Sequence, residues 1–153
     1  MADPATEAAL RVYVKLLRAG KAVLACTEPR LSSERLTPTQ FGVLEAILHK
    51  GPLTQRELLR KVLTSPGNMT DVVDKLEARG LVRRSRGLTD RRMVTVELTP
   101  RGRSDIEALF PAHAGDIAGA MGALDAEELE ELGRLLRKLG HGAAAVPRTP
   151  KGG

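Results

Sequence analysis

Residues 65–98 read SPGNMTDVVDKLEARGLVRRSRGLTDRRMVTVEL, and the order of signals in this stretch decides the fold. Ser65 is a helix cap, and Pro66 suits the first helical position, where its missing N–H costs nothing. Met69, Val72, Val73 and Leu76 then recur at i, i+3, i+4 and i+7, one apolar face of a helix that runs to about Arg79. Gly80 supplies the left-handed residue that ends it. Leu81 to Arg86 is a short strand, and Gly87-Leu88-Thr89-Asp90 is turn chemistry. Val94, Val96 and Leu98 alternate with Thr95 and Glu97, a half-buried strand. A helix is thus followed by a β-hairpin whose turn is crowded by Arg83, Arg84, Arg86, Arg91 and Arg92.

Upstream, Thr37-Pro38-Thr39-Gln40 is a capping box with proline at the first helical position, followed by Phe41, Leu44, Ile47 and Leu48 at helical spacing. Gly51-Pro52 stops that helix. Thr54-Gln55-Arg56-Glu57 is a second capping box and opens a short helix through Leu58, Leu59 and Val62. A tight break at Leu63-Thr64 separates it from the helix at Pro66. Two helices across a tight break, then a hairpin, make a helix-turn-helix with a wing.

Long helices flank this middle portion. The first runs from about Thr6 to Ala25 through Leu10, Val14, Leu17 and Leu24, and Glu28-Pro29 and Ser32-Ser33 predict a loop after it. Thr99-Pro100 opens another helix through Ile106, Leu109, Phe110, Ile117 and Met121, with a kink expected at Pro111. Asp125-Ala126-Glu127-Glu128 caps the last helix. There Leu129, Leu132, Leu135, Leu136 and Leu139 form a stripe, and Gly140 is its expected end. Residues 1–5 and 141–153 read as disordered. The fold class is mainly α with a small β-hairpin (α+β).

Bulk chemistry narrows the function. The net charge is +5, and residues 81–103, with seven basic and two acidic side chains, carry all of it. A localised basic patch attracts polyanions such as double-stranded DNA, and a solvated charge-rich loop is the competing reading. The single cysteine, Cys26, excludes an intrachain disulfide and a cysteine-based zinc site. No apolar run is long enough for a membrane span, and the N-terminus lacks a signal-peptide pattern, so the protein reads as soluble and cytoplasmic, without a membrane partner. His49, His113 and His141 lack metal-ligand spacing. No phosphate loop, nucleophile elbow or metal-binding His pair is present, so neither catalytic residues nor cofactor nor metal is expected.

The helix beginning at Ser65 turns Gly67, Asn68, Asp71, Lys75 and Ala78 away from its core face, with Thr70 on a flank. Its first backbone N–H groups lack intrahelical partners and are suited to phosphate oxygens, so Ser65, Gly67, Asn68 and Thr70 are candidate DNA contacts. Asn68 suits an adenine edge, and Lys75 a guanine or a phosphate. Solvation of Asn68 and simple capping by Ser65 are the competing readings. On the wing, Arg84, Arg86, Arg91 and Arg92 are candidate contacts, arginine being the residue that enters narrow minor grooves. Asp90 can pair with a neighbouring arginine and stiffen the tip.

The chain resembles the MarR family of bacterial transcriptional regulators. The resemblance is carried by Leu36 to Leu44 (LTPTQFGVL), Gly51 to Thr54 (GPLT), Gly67 to Thr70 (GNMT), Leu76 to Arg84 (LEARGLVRR), and Asp90-Arg91-Arg92 running into Val96 to Gly102 (VELTPRG). It covers about residues 6–140. It implies a single domain with a winged-helix core at about 37–99, between dimerisation helices at about 6–27 and 100–140. The family's wing motif, Asp-any-Arg, falls on Asp90 and Arg92, implying that Arg92 is the minor-groove finger and Asp90 its brace. The resemblance further implies a homodimeric repressor of pseudo-palindromic operators, released by a small, often phenolic or carboxylated, effector. Tyr13, Arg18, Phe41 and His113 fall on the helices bordering that family's ligand cavity, and core packing is the competing reading for Tyr13 and Phe41. The absence of tryptophan argues against the urate-responsive branch, and Cys26 lies too far along the first helix for a peroxide sensor. A non-specific architectural DNA binder and a winged-helix protein-interaction module are the alternatives. The polar Gly-Asn-Met-Thr face argues against the second.

Overall fold

The computed structural model describes residues 3–62, 64–87 and 90–148. Helices α1 (Pro4–Ser33), α2 (Pro38–Lys50), α3 (Gln55–Lys61), α4 (Pro66–Ala78), α5 (Pro100–Ala120) and α6 (Ala126–Ala145) are joined by strands β1 (Leu53–Thr54), β2 (Val82–Arg86) and β3 (Val94–Leu98). The sheet is antiparallel in the order β1-β3-β2, with Leu53 opposite Val96 and Arg84 on the other side of the same residue. The chain forms two compact units, residues 1–120 and 121–153.

The starts of α2, α3 and α6 are those the sequence predicts. Thr37, Thr54 and Asp125 each accept from a backbone N–H three residues on, and Gln40, Glu57 and Glu128 complete the three capping boxes. Gly51 and Gly80 end α2 and α4 with φ of 79° and 71°, a region costly for any residue with a Cβ. The core of the first unit joins Phe41, Val43, Leu44 and Ile47 of α2 to Leu58 of α3. Met69, Val73 and Leu76 of α4, Val82 and Val96 of the sheet, and Ile106 of α5 complete it.

The structure corrects three expectations. Helix α1 begins at Pro4, because Asp3 caps it by accepting from the N–H groups of Ala5 and Thr6, so residues 4 and 5 are helical. The helix also continues through Pro29 to Ser33, where a loop was expected. Packing of α1 on α5 overrides the local signal: Thr27 and Leu31 are buried, and the Arg30 guanidinium pairs through both Nε and Nη2 with the Asp116 carboxylate. Helix α5 includes Pro111 within its span, as the sequence pattern places it. Helix α6 passes Gly140 and ends at Ala145, five residues into the expected tail. The structure adds the two-residue strand β1, where local sequence signals show only the Thr54 helix cap.

The start of α5 is locked to the end of α4. Thr99 N–H donates to Leu81 O at 3.1 Å and its hydroxyl to Gly80 O at 2.6 Å, while Gly102 N–H donates to Thr99 Oγ1 at 3.0 Å. Gly102 is buried so tightly here that a Cβ would lie 1.9 Å from Leu81 O.

Candidate nucleic-acid interface

Helix α4 starts where its sequence dictates. Ser65 Oγ accepts from Asn68 N–H at 3.2 Å. The Asn68 amide donates to Thr64 Oγ1, and Thr70 Oγ1 accepts from Gln55 Nε2 at 3.2 Å. Ser65, Gly67, Asn68, Thr70 and Lys75 are all exposed, while Met69, Val72, Val73 and Leu76 of the same helix are buried. Nothing lies within 4 Å of a Cβ built on Gly67, so the glycine leaves open space outside the protein, not a tight internal fit. Lys75 pairs with Asp71 at 2.9 Å, one turn back.

At the wing the five arginines divide into two groups. Arg83 bonds to Glu97, its cross-strand partner, at 2.6 Å. Arg84 reaches Asp74 Oδ1 at 2.6 Å and Glu77 Oε1 at 2.9 Å, both on α4, and its side chain is only 26% exposed. Arg86, Arg91 and Arg92 remain near the tip. Arg86 donates to Arg91 O at 3.0 Å, and the Arg92 side chain is 97% exposed. Asp90 Oδ1 accepts from Arg92 N–H at 3.0 Å and stands 3.9 Å from its Nε, the bracing position the sequence suggested. Self-repulsion within the cluster is thus relieved at its base by carboxylates and left at its tip. Leu88 and Thr89, two of the four turn residues, lie outside the described residues.

A further arginine was missed by sequence reasoning. Arg79, at the end of α4, donates to Arg35 O at 2.6 Å and Glu34 O at 3.2 Å, clasping the bend where Arg35 has a φ of 56°. The contact spans 44 residues, so no periodicity reveals it. Beside it Arg35, Arg79, Leu81, Arg101, Asp105 and Ile106 help line a cavity of about 270 Å³.

None of the four residues named for effector binding lines that cavity. Phe41 and His113 meet, with ring centroids 4.3 Å apart, and both are buried. His113 Nδ1 is buried without a hydrogen-bond partner. Tyr13 and Arg18 lie on the exposed surface of α1. Asp116, one turn beyond His113, is held below the usual carboxylate range chiefly by its bonds to Arg30, with a smaller contribution from His113. Among the described residues no cluster of His, Cys, Asp and Glu could hold a metal ion, and no helix is long and apolar enough to cross a membrane.

A polar helix start on a helix-turn-helix, beside an arginine-tipped hairpin, defines a winged-helix DNA-binding protein. The MarR family model matches residues 36–94. The HTH-type transcriptional regulator MhqR of Bacillus subtilis is 33% identical over 135 residues, 88% of this chain and 93% of the relative. The HTH-type transcriptional repressor NicR of Pseudomonas putida is 36% identical over 105 residues, 69% of this chain and 66% of its own. The structure of Bordetella bronchiseptica BpsR, described as regulated in DNA binding by 6-hydroxynicotinic acid, superposes with a TM-score of 0.77 at 29% identity, covering 84% of this chain and 92% of that one. The chain belongs to the MarR family and is a DNA-binding transcriptional regulator.

Proposed function

We propose that the chain is a homodimeric, effector-responsive repressor that binds a pseudo-palindromic operator as one domain spanning about residues 6–140. Each copy lays the start of α4 in a major groove, with Ser65, Gly67, Asn68, Thr70 and Lys75 toward bases and phosphates. Arg86, Arg91 and Arg92 enter the adjoining minor groove, and Asp90 orients the finger. The observation that carries this reading is the separation of charge at the wing: carboxylates claim Arg83 and Arg84, while the tip arginines outnumber the single Asp90.

Dimerisation is supported by the apolar faces of the terminal helices. Leu10, Tyr13, Leu17 and Leu24 of α1 and Leu135, Leu136 and Leu139 of α6 are all exposed on the single chain. Burying one such leucine contributes about 1.5–3 kcal/mol, so pairing two stripes holds two copies together. The effector class we propose is a small phenolic or carboxylated aromatic molecule, in line with the 6-hydroxynicotinic acid named for BpsR. The buried, unpartnered His113 Nδ1 against Phe41 is our candidate polar anchor, reached only if α5 and α2 part to admit the effector, with Tyr13 and Arg18 of α1 as further candidates.

Competition binding tests the reading against a non-specific architectural role. A repressor prefers the DNA flanking its own gene over random duplex by on the order of a thousandfold or more, and an architectural protein shows no such ratio. Repeating the measurement with 6-hydroxynicotinic acid and simple phenols tests the effector class: one of them lowers operator affinity, and His113→Ala abolishes that response.

A further inference from the structure

We propose that Arg84 does not contact DNA but is a positioning residue, the joint that fixes the wing at a set angle to the recognition helix. It lies in β2 opposite Val96, two residues before Arg86 and the start of the turn. Its guanidinium meets three partners on two other elements: Asp74 Oδ1 at 2.6 Å and Glu77 Oε1 at 2.9 Å on α4, and Gln55 Oε1 at 3.3 Å on α3. Glu77 also takes the Arg84 backbone N–H, through Oε2 at 2.9 Å, so one carboxylate grips both the strand and the side chain.

Asp74 and Glu77 are three residues apart, about one helical turn, and anchor the guanidinium at two points along the axis of α4. A two-point attachment by a planar, five-donor group resists rotation in a way that a single ammonium does not. Gln55 carries the network onward, since its Nε2 donates to Thr70 Oγ1 at 3.2 Å. Thr70 lies in the part of α4 that faces DNA. The same atoms therefore set the wing's angle and the seating of the helix start. Two carboxylates already neutralise Arg84, so it has little net charge to offer a phosphate. Beyond the joint the wing is a lever. Arg86 follows about 6.6 Å further along the strand and the tip beyond that, so a small rotation at Arg84 moves the tip arginines out of a groove.

The inference rests on sequence-specific DNA binding, which the first step of its test reads out on its own. Wild-type protein enriches a preferred duplex from a random library. Each variant is then titrated against that duplex and a mixed-sequence duplex of equal length, with thermal melts as a check on folding. Replacing both carboxylates, D74N with E77Q, separates geometry from charge. A positioning role predicts that affinity for the enriched duplex falls by roughly tenfold while affinity for the mixed duplex rises, because two negative charges leave the interface. Arg84→Lys, which keeps the charge but cannot span the three acceptors, lowers the ratio of the two affinities to a similar extent. Parallel gains on both duplexes in the double variant, or full retention of the ratio by Arg84→Lys, would overturn the proposal.

Discussion

Substituting alanine for Gly102 should weaken the junction between the wing domain and α5 out of proportion to one added methyl group. The new Cβ would sit 1.9 Å from Leu81 O, with the Leu81 carbonyl carbon at 2.8 Å. An ordinary carbon–oxygen contact needs about 3.3 Å, so the two backbones must separate by about 1.4 Å. The atoms in the way are backbone, which no change of rotamer relieves. Leu81 O is also the acceptor of Thr99 N–H at 3.1 Å, and the Thr99 hydroxyl holds Gly80 O at 2.6 Å. A shift of that size takes both beyond hydrogen-bonding range. Leu81 is buried, and its carbonyl left unpaired costs about 1–3 kcal/mol, whereas the exposed Thr99–Gly80 bond is replaced by water at little cost. Alanine's better helix propensity returns about 1 kcal/mol. The expected net loss is about 1–2 kcal/mol, readable as a lower urea midpoint at fixed protein concentration with an unchanged m-value. Operator affinity falls with it, since α5 no longer fixes the Leu81–Thr99 base of the hairpin. Stability for Gly102→Ala equal to or above that of the wild type would refute the reasoning.

Other expectations concern the finger, the dimer and one ion pair. Arg92→Ala lowers the magnitude of the log–log salt-dependence slope of operator binding by about 0.9 per wing, roughly two for a dimer, and an unchanged slope removes the wing from phosphate contact. Asn68→Ala costs about 1–3 kcal/mol on the preferred duplex and relaxes sequence preference, and equal weakening on all duplexes shows that Asn68 does not read a base. Leu17→Glu with Leu136→Glu yields a monomer in sedimentation equilibrium that has lost operator binding, whereas a persisting dimer would relocate the interface. Because Arg30 holds the Asp116 carboxyl below its ordinary value of 3.8, the pair's contribution to stability is complete above that pH. It is lost as pH falls through the lowered folded-state value. Asp116→Asn therefore lowers the urea midpoint near neutrality and flattens its decline below about pH 4, and a parallel decline in both proteins would contradict this.

Local signals carried most of the fold into the sequence. Threonine and aspartate caps with a glutamine or glutamate three residues on placed α2, α3 and α6, and strand alternation placed β3, because each needs only neighbouring residues to form. Pairing across the chain escaped. Helix α1 ignores Pro29 because Leu31 and the Arg30–Asp116 pair bind it to α5, 86 residues away. Strand β1 is two residues long and exists only as an edge added to β3. At the interface, spacing put the polar residues of α4 on one face and Asp90 beside Arg92. Charge clustering alone could not separate Arg84, tied into α4, from Arg92, exposed at the tip beside Asp90, because the carboxylates that hold Arg84 come from another element. Gly102 stood in the quoted VELTPRG run, but its reason is a backbone contact that no pattern encodes.

Hydroxyl-radical footprinting on both strands of the preferred duplex, with the number of chains per duplex counted, probes the dimer's grip on DNA directly. Two chains should protect two segments about one helical turn apart, each flanked by minor-groove protection that disappears in Arg92→Ala. A single chain per site, or even protection of any duplex regardless of sequence, would contradict the account.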